Sequence, residues 1–111
     1  MPNQIDAAFA ALADPTRRAV VERLGDGPAS VSALAAGFTM AMPSFLQHIR
    51  LLEGAGLVRT AKQGRVRTCT LEPLALAAVE QWIVERRRTT EARYDRLAHF
   101  LDAQDKENDH G

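Results

Sequence analysis

The sequence predicts a mainly α-helical domain of about five helices that carries a two-stranded β-hairpin. Three observations lead there. Apolar residues recur at three-or-four spacing along most of the chain. The composition is only 5% aromatic and is rich in Ala, Leu and Arg, which favours helix over a β-sandwich. One stretch, from Leu57 to Leu71, is instead β-rich on both sides of a Gln63-Gly64 turn. With 111 residues, 46% hydrophobic and 25% charged, the chain has room for one domain with an ordinary core. We place that domain at residues 1–102 and an acidic tail, expected to fray, at 103–111.

Ile5, Phe9 and Leu12 fall at helical spacing and predict a first short helix that stops at Ala13-Asp14-Pro15. Asp14 is suited to cap the second helix and Pro15 to begin it, because the first turn needs no proline N–H. That helix runs from Pro15 to about Leu24, with Val20, Val21 and Leu24 inward and Arg17, Arg18, Glu22 and Arg23 outward. Gly25-Asp26-Gly27-Pro28 ends it. Ser30 or Ser32 can cap a third helix through Leu34 to Gly37, and Gly37-Phe38-Thr39 turns the chain into a fourth.

In the fourth helix Phe45, Ile49 and Leu52 line one face, while Ser44, Gln47, His48 and Leu51 form a separate, mostly polar stripe. Pro43 suits its first turn, and Gly54 with Gly56 supplies the stop. Helices three and four thus read as a helix-turn-helix, and the hairpin after them as a wing. Pro73 opens a long final helix whose Leu76, Val79, Ile83, Tyr94, Leu97 and Leu101 keep an apolar stripe, interrupted by Arg86-Arg87-Arg88-Thr89-Thr90. So long a helix cannot bury its whole stripe on so small a core, which predicts pairing with a second copy through the first and last helices.

Charge is unevenly spread. The 14 basic and 14 acidic residues cancel. From Ser44 to Thr70, however, Arg50, Arg59, Lys62, Arg65 and Arg67 stand against Glu53 alone, a local balance of +4. From Asp102 onward four acids oppose Lys106, a balance of −3. A short helix with an exposed polar face, followed at once by a basic hairpin, is suited to the DNA major groove and its flanking phosphates.

Other classes find less support. The N-terminal Met1-Pro2-Asn3-Gln4 lacks the basic-then-apolar pattern of a signal peptide, and no apolar run approaches the ~20 residues of a membrane span, so we expect a cytoplasmic protein. A lone cysteine, Cys69, leaves no intrachain disulfide and no paired-cysteine zinc site. Neither His48 nor Cys69 has a companion in sequence for nucleophilic or acid–base chemistry, so we expect no enzyme and no cofactor.

Phe9-Ala10-Ala11-Leu12-Ala13-Asp14-Pro15-Thr16-Arg17-Arg18, the helix from Pro43 to Val58 with His48, Arg50 and Leu52 in register, and Gly64-Arg65-Val66-Arg67 occur in this order. Together they resemble the ArsR family of winged helix-turn-helix transcriptional repressors, over nearly the whole chain. The resemblance implies a homodimer on a partly palindromic operator, one recognition helix per half-site, released when a signal reaches the dimer. Two departures stand out. Ala41-Met42 and Leu46 replace residues that are polar in much of the family, so reading there would be apolar, as with a thymine methyl. Val31 to Phe38 also lack the cysteines of the family's metal sensors.

The candidate DNA-binding residues are therefore Ser44, Gln47 and His48 near bases, and Arg50, Lys62, Arg65 and Arg67 on phosphates. For His48 the bland alternative is local packing on the helix surface, and for the wing cations a charged edge strand that deters aggregation. Arg86-Arg87-Arg88 read as a solvated face paired with Glu85 and Glu91. Glu91, Asp95 and His99 share one line of the last helix, but with one nitrogen ligand they favour helix pairing over a metal. Cys69 is read as packing rather than as an oxidant sensor, and Met40 and Met42 as gap fillers. An unknown small-molecule inducer at the dimer interface is compatible with all of this. The rival reading is a dimeric protein-interaction module on the same fold without DNA binding, suggested by zero net charge and by Ala41, Met42 and Leu46.

Overall fold

The computed structural model describes residues 4–109. Met1-Pro2-Asn3, part of the segment read above for a leader, and His110-Gly111, at the end of the acidic tail, lie outside the described residues. Five helices and three short strands follow in the order α1 (Gln4–Leu12), α2 (Pro15–Leu24), β1 (Ala29–Ser30), α3 (Val31–Ala35), α4 (Met42–Gly54), β2 (Val58–Gln63), β3 (Val66–Leu71) and α5 (Pro73–Asp109). The chain forms two units, Met1–Val79 and Glu80–Gly111, with the division falling inside α5.

In the first unit α4 is held by Phe45, Ile49 and Leu52, all buried, as their spacing requires. They join Val20 and Leu24 of α2, Val31 and Leu34 of α3, and Leu57, Val58 and Cys69 at the base of the hairpin. Phe38, in the turn before α4, lays its ring 5.5 Å from that of Phe45. Removing each large apolar side chain from water contributes about 1.5–3 kcal/mol. The inward face of α1 differs from expectation. Ala8 and Ala11 are its buried line, Ile5 and Leu12 are half-buried, and Phe9 is exposed. Methyl-sized side chains let α1 lie close against α2 and α4, and a Phe on that line would hold the helices apart.

The helix ends follow local chemistry. Asp14 is the N-cap of α2, its Oδ2 accepting the Arg17 N–H at 3.0 Å, with Pro15 in the first turn. Ser30, rather than Ser32, caps α3 by accepting from Ala33 N at 3.1 Å. At the end of α4 the N–H of Leu57 reaches Leu52 O at 3.0 Å and that of Gly56 reaches Glu53 O at 3.0 Å, the paired bonds of a Schellman stop. Gly56 supplies the left-handed residue at φ 76°, and Gln4 Nε2 donates to Ala55 O beside it at 3.2 Å.

Strands β2 and β3 pair from Val58↔Leu71 to Gln63↔Val66, so the loop is Gly64-Arg65, one residue later than the Gln63-Gly64 turn expected. Gly64 at φ 62° takes the first central position, where a two-residue hairpin loop favours glycine, and Arg65 is carried to the tip. The strand β1, which the sequence reading did not anticipate, pairs with β3 through Ala29↔Cys69 and Ser30↔Thr68, giving the order β1-β3-β2. Two residues are too short to show alternation. The helix α5 extends to Asp109, and its second-unit part exposes Ile83, Tyr94, Leu97, Phe100 and Leu101.

Two stability measurements follow. In urea denaturation Gly56→Ala should lose about 1–2 kcal/mol, because a side chain is forced into the left-handed region and its Cβ meets the Gln4 amide. Gly54→Ala, in open helical space, should instead gain about 0.5 kcal/mol, and equal responses would contradict this account. The Arg17 backbone N–H holds the Asp14 carboxyl below its ordinary range. A lowered carboxyl stabilises the fold above the unfolded-state value and stops doing so as pH falls through the folded-state value. The melting temperature of Asp14→Ala should therefore lie below that of the unsubstituted chain at neutral pH, and the gap should close below the ordinary carboxylate range.

Candidate nucleic-acid interface

At about 100° per residue the side of α4 opposite Phe45, Ile49 and Leu52 is centred on Gln47, flanked by Pro43 and Arg50. Gln47, Ser44 and Arg50 are exposed, as are Ala41 and Met42 at the helix start. Leu46 is half-buried against the core, so apolar contact from this helix would come from Ala41 and Met42. Met40 likewise packs on the core, whereas Met42 does not. The N-cap residue Ala41 offers no side-chain acceptor, which leaves first-turn N–H groups of α4 open to an anion.

His48 is placed differently from Ser44 and Gln47. It falls beside the buried line and meets the corner between α1 and α2, where Arg17 Nη1 lies 3.0 Å from its Nδ1 and Asp14 Oδ2 lies 3.8 Å away. The same guanidinium donates from Nε to Ala11 O at 2.6 Å and from Nη2 to Ala10 O at 3.3 Å, while Arg18 Nη1 donates to Leu12 O at 2.9 Å. Arg17 and Arg18, read above as outward, thus cap the last carbonyls of α1. The available signal was position: two arginines in the first turn after a tight Asp-Pro break lie within reach of the preceding helix end.

On the hairpin, Lys62 and Arg67 are cross-strand partners and share one face. Like charges directly opposite repel, and an anion between them relieves this. Arg67 Nη1 donates to Thr60 Oγ1 at 2.9 Å, and that hydroxyl donates to Glu53 Oε2 at 2.6 Å, a chain from the wing to α4. Sequence reasoning missed Thr60 and Glu53 because the two come together only when the hairpin folds back on the helix. Arg59 is committed elsewhere, its Nε 3.0 Å from Glu72 Oε1. Arg50, Lys62, Arg65 and Arg67 are exposed, and among the described residues none is in an ion pair with a carboxylate.

The remaining candidates have ordinary surroundings. Cys69 is fully buried, and burial, with Glu53 adding to it, pushes its thiol above the usual value. In the second unit Arg86 lies 3.6 Å from Glu85 and over the Trp82 ring, and Arg87 lies 3.7 Å from Glu91. Among the described residues no group of three His, Cys, Asp or Glu is placed to hold a metal ion, and no helix is long and apolar enough to cross a membrane.

Known proteins share this arrangement. A helix-turn-helix domain model matches residues 12–61. The HTH-type transcriptional regulator Rv2034 of Mycobacterium tuberculosis is 45% identical over 74 residues, 67% of this chain and 69% of that protein. The transcriptional repressor SdpR of Bacillus subtilis is 26% identical over 68% of this chain and 84% of its own. A crystal structure of an ArsR family transcriptional regulator superposes with a TM-score of 0.78 at 55% identity, covering 80% of this chain and 98% of that one. The chain therefore belongs to the ArsR family of winged helix-turn-helix regulators and is a DNA-binding transcriptional regulator.

Proposed function

We propose that the chain is a cytoplasmic, homodimeric repressor that lays α4 in the major groove of each operator half-site and closes the wing on the adjoining backbone. The observation that carries this reading is the set of exposed cations without carboxylate partners, Arg50, Lys62, Arg65 and Arg67, gathered on α4 and the hairpin. Phosphates are the anions that a helix in the groove would bring to them. Ser44 and Gln47 face the base edges, and Ala41 and Met42 are suited to thymine methyls. The reading as a repressor draws on SdpR, which bears that name.

The dimer is supported by α5. It is 37 residues long, about 55 Å at 1.5 Å per residue, and Ile83, Tyr94, Leu97 and Leu101 repeat along it with half or more of Tyr94, Leu97 and Leu101 exposed. A second copy, engaged through α5 and α1, covers such a stripe and presents α4 twice, as a twofold operator requires. An inducer of unknown structure that altered the pairing would release the DNA.

Two experiments test this. Binding to DNA from immediately upstream of the chain's own gene should weaken steeply with salt. In Arg65→Ala/Arg67→Ala, which removes two cations from each protomer, the slope of log affinity against log salt should be shallower by about 3.6, at about 0.9 for each phosphate that is no longer neutralised. Absence of binding at low salt by an intact dimer would favour the protein-interaction module instead. In sedimentation, Leu97→Asp/Leu101→Asp should convert a dimer to a monomer and lower operator affinity at least about a hundredfold, since one half-site then binds alone. An unchanged mass would refute the assignment of α5.

A further inference from the structure

The contact between Arg17 and His48 has a chemical consequence for what α4 can recognise. A guanidinium has only donors, so the 3.0 Å approach of Arg17 Nη1 requires His48 Nδ1 to be the bare, accepting nitrogen. A neutral imidazole with Nδ1 bare carries its proton on Nε2. The other charged group facing the ring, Asp14, does not reverse this. Its Oδ2 is 3.8 Å from Nδ1, beyond a hydrogen bond. Arg17 is itself fixed, by two further bonds to the Ala10 and Ala11 carbonyls at the end of α1. The His48 side chain as a whole keeps 22% of its surface exposed, on the element proposed to enter the groove.

Resting on the DNA-binding reading above, we propose that Arg17 is a positioning residue that makes His48 an obligate hydrogen-bond donor through Nε2. The recognition helix then presents an imidazole N–H to an acceptor on DNA: a phosphate oxygen, or purine N7, guanine O6 or thymine O4 in the major groove. It discriminates against the amino groups of adenine and cytosine, which can only donate. The arrangement also links the end of α1, the start of α2 and the reading helix through one side chain.

The tautomer can be read without DNA. Long-range ¹H–¹⁵N correlation of the imidazole ring, with His48 assigned by its loss in His48→Gln, should show the proton on Nε2 in the unsubstituted chain and a mixture in Arg17→Ala. On the tightest duplex recovered from a random-sequence library, His48→Ala should weaken binding about a hundredfold, about tenfold for each of the two half-sites, the size of one hydrogen bond to a charged or well-placed partner. Arg17→Ala, which leaves part of the rings protonated on Nε2, should weaken it by less. The double variant should lose no more than His48→Ala alone, and Arg17→Lys, which keeps a donor, should recover part of the Arg17→Ala loss. A loss that depends on one base pair identifies a base acceptor, and an equal loss on all duplexes identifies phosphate. A proton on Nδ1 in the unsubstituted chain, losses that multiply, or no loss would each overturn the proposal. Recovery of no duplex at all would defeat the DNA-binding reading itself, whereas a wrong tautomer in a chain that binds DNA defeats this inference alone.

Discussion

The arrangement depends on the burial of Phe45, Ile49 and Leu52 along one side of α4. A helix of 13 residues is marginal in water by itself, so its position and rotation are set by what it packs against. Because these three side chains fill the centre of the core, the opposite face is committed to solvent, and Gln47, Arg50 and Ser44 are there as a result. The Schellman stop at Gly56 then returns the chain directly into β2, which places the basic hairpin beside the same helix. Exposure of this face and proximity of the wing are two results of one packing event.

Hydrogen bonds refine what burial sets. On one flank of α4 the Arg17 guanidinium joins the α1 carbonyls to His48, and on the other Glu53 reaches Arg67 through Thr60. Apolar contact is non-directional and tolerates small rotations of a helix. A planar fork with three acceptors does not, since each bond weakens steeply with angle. The helix is thus braced on both sides by groups with fixed directions. The ion pairs of the second unit, all solvent-exposed, add little of this kind.

Electrostatics explains how a chain of zero net charge serves a polyanion. Arg59, Arg86 and Arg87 have carboxylates at hand, while Arg50, Lys62, Arg65 and Arg67 do not. The hairpin register sets Lys62 opposite Arg67, a pairing that is unfavourable until an anion arrives. In the proposed complex a DNA backbone would meet the local field of α4 and the wing, and the acids that bring the sum to zero are not paired with these cations.

The sequence by itself determined the helices, the hairpin and the buried face of α4, because these depend on neighbours three or four residues away, on Asp14 and Pro15 at a helix start, and on glycine where the backbone turns left-handed. The candidate cations were legible for the same reason: an exposed arginine on a hairpin needs no partner to be recognised. Tertiary structure alone decided that Ala8 and Ala11, not Phe9, face inward, that Ala29-Ser30 forms a third strand, and that the loop is Gly64-Arg65. It also decided that His48 turns to Arg17 and that Arg59 is taken by Glu72. Each of these depends on groups distant in sequence brought within a few ångströms, and helical periodicity carries no information about which of two flanks a neighbouring helix will occupy.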